Sequence, residues 1–334
     1  MPAPTYDLPA PAPAADTHCR FCDLATYFDH LRVRELYFGT LDEFDYLCCR
    51  GCGSLMIRKI PENLSQFYRP GYGGHVESDA HVAKLPPLRK ALLRARSQRL
   101  LGHFNLVGQL LATLRPVPEV YPWVWLRAAG ATVGSRILDV GCGGGSLLKH
   151  LHAAGFDRLS GIDAFVPHVI EEAGLKITRG DAMAAWGRYD LVMMHHSLEH
   201  MPDPAAVVRH LASLLDVAGA LLIRVPVAGG LAQQMFGAAW YGIDAPRHLA
   251  IPSLAGMQAF ASRLGLKVDS ILFDSTASQF FVSEGYQNGL SMQTQRADDY
   301  AHVSAAQMES YAQLADEANR QQTGDQAAFI LRPL

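Results

Sequence analysis

Long apolar runs are missing from this 334-residue sequence. No uninterrupted stretch reaches the roughly 18 residues that a membrane-spanning helix requires. The best candidate, near 205–235, is broken by Arg209, His210, Asp216 and Arg224. Residues 1–16 do not read as a secretory signal either: they are rich in Pro and Ala but have neither a basic start nor an apolar core. The expected compartment is the cytoplasm, with no membrane partner. Charge of one sign is scarce too. With 29 Lys and Arg against 32 Asp and Glu, the formal net charge is −3, which gives no bulk attraction to nucleic acid or to an anionic membrane. Beyond residue 52 only Cys142 remains of the six cysteines. Five thiols clustered near one end of a large reduced chain fit a disulfide framework badly and point to metal or catalysis. Apolar residues, by contrast, make up 49%, enough for a large core.

Four stretches can be told apart. Residues 1–17 read as a disordered tail, since repeated proline blocks regular structure and few side chains can pack. Residues 18–75 carry the cysteine pairs and end in a Pro/Gly cluster at 69–74. Residues 76–116 read as a helical linker or lid, with helix expected over 84–114 from the spacing of Leu85, Leu88, Leu92 and Ala95 and from Pro86-Pro87 near its start. From 117 to 334 short apolar strands alternate with amphipathic helices, the pattern of a parallel α/β sheet. Strands are expected at 135–140, 159–163, 175–178, 189–194, 220–225, 266–273 and 327–331. Helices are expected at about 145–154, 167–173, 204–215, 253–264 and 303–320. The predicted fold class is α/β, with seven strands in one domain.

The most informative segment is Ile137–Ser146. A strand running into glycines and then a helix lets a ligand approach the backbone closely and offers free N–H groups. The nicotinamide fingerprint wants glycines at positions 1, 3 and 6. Gly141 and Gly143 fit, but the sixth position is Ser146, and the pattern is instead Asp139-x-Gly141-x-Gly143-x-Gly145. The next strand ends at Asp163, 18 residues after Gly145. An acid there can accept from both hydroxyls of a ribose, or simply cap a helix. Gly180-Asp181-Ala182 follows the third strand, where the carboxylate can accept from an adenine amine or serve as a turn residue. Three acids at successive strand ends are less easily accidental, because open α/β sheets bind ligands there.

Together, Asp139–Gly145, Asp163, Gly180-Asp181-Ala182 and the run Tyr189–Pro204 resemble a class I S-adenosylmethionine-dependent methyltransferase over roughly residues 117–334. The resemblance implies a Rossmann-like seven-stranded sheet whose last strand is antiparallel, and S-adenosylmethionine as cofactor. It implies that the loop of Asp139, Gly141, Gly143 and Gly145 faces the methionine part of that cofactor. Asp163 would hold the ribose and Asp181, with the Ala182 backbone, the adenine. His195 would lie beside the methionine end. Cys142 reads as filler.

Cys19-Arg-Phe-Cys22 and Cys49-Arg-Gly-Cys52 form two C-x2-C knuckles across a 26-residue spacer. Each knuckle supplies two thiolates from one tight turn, so Cys19, Cys22, Cys49 and Cys52 predict a structural zinc in a small ribbon. Gly53 suits the positive φ common after such a turn, and Cys48, outside the two-residue gap, reads as a packed thiol. A zinc ribbon, an aromatic linker (Phe67-Tyr68, Tyr72) and then a methyltransferase is similar to sugar-modifying and natural-product methyltransferases with an N-terminal zinc-binding module.

An alcohol acceptor needs a base, and histidine suits that task near neutral pH. His195, His196, Glu199 and His200 follow strand four; His196 could face the substrate, whereas His200 is expected to brace the loop. After strand five, Trp240–His248 offers Tyr241, Asp244, Arg247 and His248. It resembles the Tyr-His-Glu-His sequence of sugar C-methyltransferases, whose last histidine is catalytic. Here Ala245-Pro-Arg-His248 keeps the histidine and replaces the acid with Arg247, which weighs against enolisation of a keto-sugar. The expected catalytic residues are His248 as base, His196 and Tyr241, with Arg247 as an anion contact. Lys84, Arg89, Lys90, Arg94, Arg96 and Arg99 could offer a positive lid to a phosphate-bearing substrate, though a solvated face is the commoner meaning of such a run.

The reading is therefore S-adenosylmethionine-dependent methyl transfer, at oxygen or carbon, to a small molecule, in particular a sugar or nucleotide-linked sugar. The alternatives are a catalytically idle fold acting as a zinc-organised binding protein, and methylation of a protein or RNA. A nucleic-acid partner is not expected, since the Asn/Asp-Pro-Pro-aromatic tetrapeptide of amino-methylating nucleic-acid enzymes is absent.

Overall fold

The computed structural model describes residues 18–69, 72, 86–114, 122–166 and 169–334. The tail expected over 1–17, most of the Pro/Gly cluster at 69–74, Lys84 and the expected boundary at 116–117 lie outside the described residues. No helix among them is long and apolar enough to cross a membrane.

Two sheets organise the chain. The first opens with β1 (Phe28–Arg34), β2 (Glu43–Cys49) and β3 (Leu55–Ile57). The second is built from β4 (Ile137–Val140), β5 (Leu159–Asp163), β6 (Ile170–Glu172), β7 (Leu175–Arg179), β8 (Tyr189–His195) and β9 (Leu215–Pro226). Then come β10 (Ala250–Ile251), β11 (Leu266–Phe273) and β12 (Gln326–Pro333). The larger sheet has eight strands in the order β11-β12-β9-β8-β4-β5-β7-β6. Its centre is parallel, and β12 runs antiparallel to both β9 and β11. All four residues of β4 are buried, as a parallel strand covered on both faces should be. One apolar cluster, including Leu138, Val192, Ile223 and Phe329, fills one side; another, including Ile137, Leu151, Phe156 and Leu222, fills the other.

Most expected elements are present; three differ, and others appear where none was expected. The short helix expected near 167–173 is replaced, over the residues described, by edge strand β6, which folds back antiparallel on β7. The turn between them uses Gly174 at φ +91, where a Cβ would press on the Asp157 backbone at 2.8 Å; such a tight hairpin turn wins over weak helical periodicity. The sheet thus gains an eighth strand. Strand β9 starts at Leu215, five residues before expectation, with a register shift against β8. The helix expected over 84–114 is two helices, Pro87–Leu100 and Leu106–Leu114. Asn105 makes the break: its side chain accepts from Gly108 N–H and donates to the Ala95 carbonyl, the local competition that asparagine offers a helix. Finally, helices Ser278–Gln287 and Met292–Ala297 fill a stretch for which no element was expected.

The smaller sheet matters most for function. Its order is β1-β2-β3-β10, and β10 comes from the segment that follows Trp240–His248. Ala250 pairs with Met56 and Ile251 with Leu55, so the cysteine-bearing segment and the loop after β9 are sewn together by backbone hydrogen bonds.

Candidate active site

One cavity of about 1070 Å³ runs along the C-terminal edge of the parallel strands, where open α/β sheets place their ligands. All eight residues expected at the cofactor, Gly145 excepted, line it. Gly145 shapes it from behind: at φ +75 it is the residue before helix Ser146–Ala153, and a Cβ there would collide with Ile177. Gly141, also at φ +75, leaves no room for a Cβ against Ser197, and Ser197 Oγ in turn donates to the Val140 carbonyl at 2.8 Å. The loop is therefore held open from both sides.

The three acids do different things. Asp163 accepts from Gly143 N–H at 2.9 Å and from Phe165 N–H at 2.7 Å, which braces the glycine loop while leaving each carboxylate oxygen further acceptor capacity. Asp181 caps the turn Ala182–Ala184, with Oδ1 accepting from the backbone of Met183 and Ala184; it thus serves the turn, the alternative its position offered, and it also lines the cavity. Asp139 is buried, and its Oδ1 has no hydrogen-bond partner among the described residues. A buried carboxylate oxygen without a donor is costly.

That cost has a pH signature. Burial first, and the charge of Asp163 second, push the Asp139 carboxyl up to about 7, against about 3.9 in an unfolded chain. The folded chain therefore holds this proton more tightly, and the stability it contributes is complete below about pH 4 and is lost as pH rises to 7. Asp139→Asn, without cofactor, should melt higher than the parent at pH 8 and close to it at pH 4. Three pH units correspond to an upper bound on the order of 4 kcal/mol. A thermal melt showing no gain at pH 8 would mean the carboxylate is already satisfied.

On the acceptor side, His195 lines the cavity, stacked on Trp125 with centroids 5.0 Å apart. Burial, then the charges of Arg224 and His196, lower its pKa to about 3, so it is a neutral wall. His196 has both ring nitrogens engaged: Nδ1 lies 3.2 Å from Glu199 Oε1, and Nε2 accepts from Arg224, which Asp274 holds in turn. Its expected role as a substrate base is not supported, because no nitrogen is left to take a proton. Tyr241 lines the cavity, and burial raises its phenol, which keeps it a donor.

His248 is 8% exposed. Its Nδ1–H donates to the Gly242 carbonyl at 2.8 Å, since a carbonyl can only accept, which turns Nε2 toward Glu199 and Asp244, each 3.9 Å away. His200 is held the same way, Nδ1–H to the Arg247 carbonyl at 2.9 Å, with the Tyr68 hydroxyl at 3.1 Å. This braces the loop, as the sequence led one to expect. Burial, then the charge of His248, lower the His200 pKa to about 4. Glu199 is fully buried; burial alone would raise its pKa, but the hydrogen bond from His196 and the charges of the histidines bring it to about 2.

Arg247 corrects an expectation. It does not face the cavity as an anion contact; it is fully buried, paired with Asp244 at 2.6 Å and Glu35 at 2.9 Å, and donates to the Phe67 carbonyl. Its guanidinium lies over the rings of Tyr37, Phe38 and Tyr72. Sequence reasoning missed Glu35 altogether, since a lone glutamate in a strand-and-turn segment carries no motif. It also missed that Tyr68 and Tyr72 line the cavity; Tyr72 reaches Asp244 at 2.6 Å.

The four expected metal-binding cysteines come together. Cys19 and Cys52 sulfurs are 3.6 Å apart and Cys22 and Cys49 3.7 Å, and all four lie within 4.8 Å of one another. Zinc–sulfur bonds of about 2.3 Å place tetrahedral sulfurs about 3.8 Å apart, so the donor set fits that ion. Cys48 stands outside the cluster, its thiol toward the Gly53 carbonyl. Gly53 has φ +80, as expected after the knuckle.

A family described as a methyltransferase domain matches residues 89–271, just over half the chain. Among curated proteins, the ubiquinone biosynthesis O-methyltransferase of Bordetella bronchiseptica is 36% identical over 114 residues, 28% of this chain and 44% of that protein. The enzyme of the same name from Xanthomonas euvesicatoria is 35% identical over 139 residues, 36% of this chain and 56% of that one. The chain thus spans about half the length of the curated relatives it matches. A crystal structure of an S-adenosylmethionine-dependent methyltransferase from Mesorhizobium loti aligns with 63% of this chain and 96% of its own, at 16% identity and a TM-score of 0.40, a likeness too slight to add to the family match.

Proposed function

The chain belongs to the methyltransferase-domain family, and on that premise we propose that it methylates a hydroxyl of a small ring-bearing molecule, in the finer reading a sugar, with S-adenosylmethionine as donor. One observation carries this: a single cavity joins three carboxylates at strand ends to the Nε2 face of His248. The names of the curated relatives support oxygen as the acceptor atom and a small molecule as its bearer.

S-adenosylmethionine, when bound, supplies a methyl group on a sulfonium, whose departure needs no acid from the protein. The side chains bind and orient. Asp139 is the partner for the ammonium of the methionine part, Asp163 for the ribose hydroxyls, and Asp181 with the Ala182 backbone for the adenine. Gly141, Gly143 and Gly145 let the backbone approach, and His195 closes the wall. For the acceptor, Tyr68 and Tyr72 form aromatic sides, Tyr241 donates a hydrogen bond, and His248 Nε2 takes the hydroxyl proton. The gain is mainly alignment and exclusion of water. Arg247 being committed elsewhere, the ring rather than a phosphate is what this pocket grips.

In this reading 18–75 is a zinc-ribbon module that roofs the pocket, with Cys19, Cys22, Cys49 and Cys52 holding a structural zinc. Residues 76–116 are the linker and 117–334 the catalytic domain, and the site of action is the cytoplasm.

The test is release of S-adenosylhomocysteine with a panel of sugars, nucleotide-linked sugars and phenols. Release that depends on one acceptor class is expected; none with any acceptor would favour an idle binding fold. With that acceptor, His248→Ala should lower turnover at least 100-fold, the usual share of a positioned base, while cofactor affinity stays within about threefold. Equal loss of both would remove His248 as the base.

A further inference from the structure

Three ligand-type side chains converge beside the proposed acceptor. One oxygen or nitrogen each from Glu199, His200 and His248 lies within 4.8 Å of the other two. We propose that these three form a seat for a divalent first-row transition cation, distinct from the four-cysteine site. This rests on the reading of the cavity as an acceptor pocket and deepens it.

Three independent features carry the proposal. First, each imidazole is held in place by its Nδ1–H, which is spent on a backbone carbonyl, Arg247 for His200 and Gly242 for His248. That outer hydrogen bond is what fixes tautomer and ring direction in metal-ligating histidines. Secondly, Glu199 is fully buried, and its Oε2 has no partner among the described residues while Oε1 is held by His196. A buried carboxylate oxygen left unpaired is costly unless something cationic meets it. Thirdly, His200 and His248 both line the cavity, so the remaining coordination positions open toward it.

Two imidazoles and one carboxylate with open positions suit iron(II), manganese(II) or zinc(II) rather than calcium or magnesium, which favour all-oxygen sets. Bonds of about 2.1 Å hold neighbouring ligands roughly 3.0–3.5 Å apart, so the seat tightens by about an ångström on filling. A cation there would take over from His248 the task of polarising the acceptor hydroxyl.

The experiment uses the full chain with its cysteine site zinc-loaded and titrates manganese(II), whose free signal in electron paramagnetic resonance disappears on binding. Hard manganese does not displace zinc from thiolates. No cofactor or acceptor is present, so the outcome is separate from methyl transfer. One manganese per chain is expected, with affinity reduced at least tenfold in both Glu199→Gln and His248→Ala. Glu199→Gln keeps the shape of the side chain if His248→Ala perturbs folding. No bound manganese in the parent chain, or a site unchanged in both variants, overturns the proposal. Methyl transfer that persists under those results leaves the enzyme reading standing with His248 as base.

Discussion

Arg247→Met should cost this protein roughly 3–5 kcal/mol of stability, the range for removing one partner of a buried ion pair. The arginine is fully buried and answers two carboxylates, Asp244 and Glu35, of which Glu35 is itself 0% exposed. Methionine fills much the same volume, so the loss would come from charge, not from a cavity. Glu35 would keep its backbone donors, Phe38 and Thr40, but two negative groups would face each other without a cation. The check is chemical denaturation of the parent, of Arg247→Met, and of Arg247→Met with Glu35→Gln and Asp244→Asn. The triple variant should recover a large part of the loss, since neutral partners remove the uncompensated charge. A surface comparison sets the scale: Arg32, with its side chain 69% exposed beside Glu43, should cost under about 1 kcal/mol on truncation. If Arg247→Met were as mild as that, the cluster would be solvated, and the join between the cysteine segment and the loop at 240–248 would rest on β3–β10 pairing and on single hydrogen bonds such as Tyr46 to the His248 carbonyl.

Arg247 also shows where reading the sequence stops. The parallel strands, the glycine loop and the acids at strand ends were legible because each is local: periodicity, a turn that needs glycine, an acid at a fixed place after a strand. The cysteine knuckles were legible for the same reason. Arg247 was misread because its partners are distant in the chain. Glu35 is 212 positions away, and nothing in the loop reveals that it folds inward under three aromatic rings. Likewise His196 and His248 look equivalent as potential bases; only tertiary partners distinguish them, Arg224 closing Nε2 on one and Gly242 leaving it open on the other. The missed edge strand β6 is of a different kind. Three residues, of which two are exposed, carry too little pattern to outweigh a helical guess.

Preventing metal binding at the four-cysteine site should have the largest effect of all. The segment from Cys19 to Ile57 is a hairpin of seven-residue β1 and β2 extended by three-residue β3, joined to the rest of its sheet through two-residue β10, and a lone hairpin has little independent stability. The thiol cluster ties its two knuckles together and seats them on the domain, where Phe21 packs edge-on against Phe260 at 5.4 Å and Ser253 both caps helix Leu254–Arg263 and donates to the Cys52 carbonyl. Zinc bound to such thiolates supplies on the order of 10 kcal/mol in small metal-folded domains. Elemental analysis should therefore find a zinc that Cys22→Ser removes and Cys48→Ser leaves, because Cys48 stands outside the cluster. In the zinc-free chain, proteases should cut within 18–69 while the large sheet stays resistant. Cofactor binding should outlast turnover, since Asp139, Asp163 and Asp181 sit on or just after strands of the large sheet but Tyr68 belongs to the segment that comes loose. A Cys22→Ser chain with the parent's melting point and protease resistance would show that sheet pairing and the Arg247 cluster suffice, and that the thiols bind nothing the fold needs.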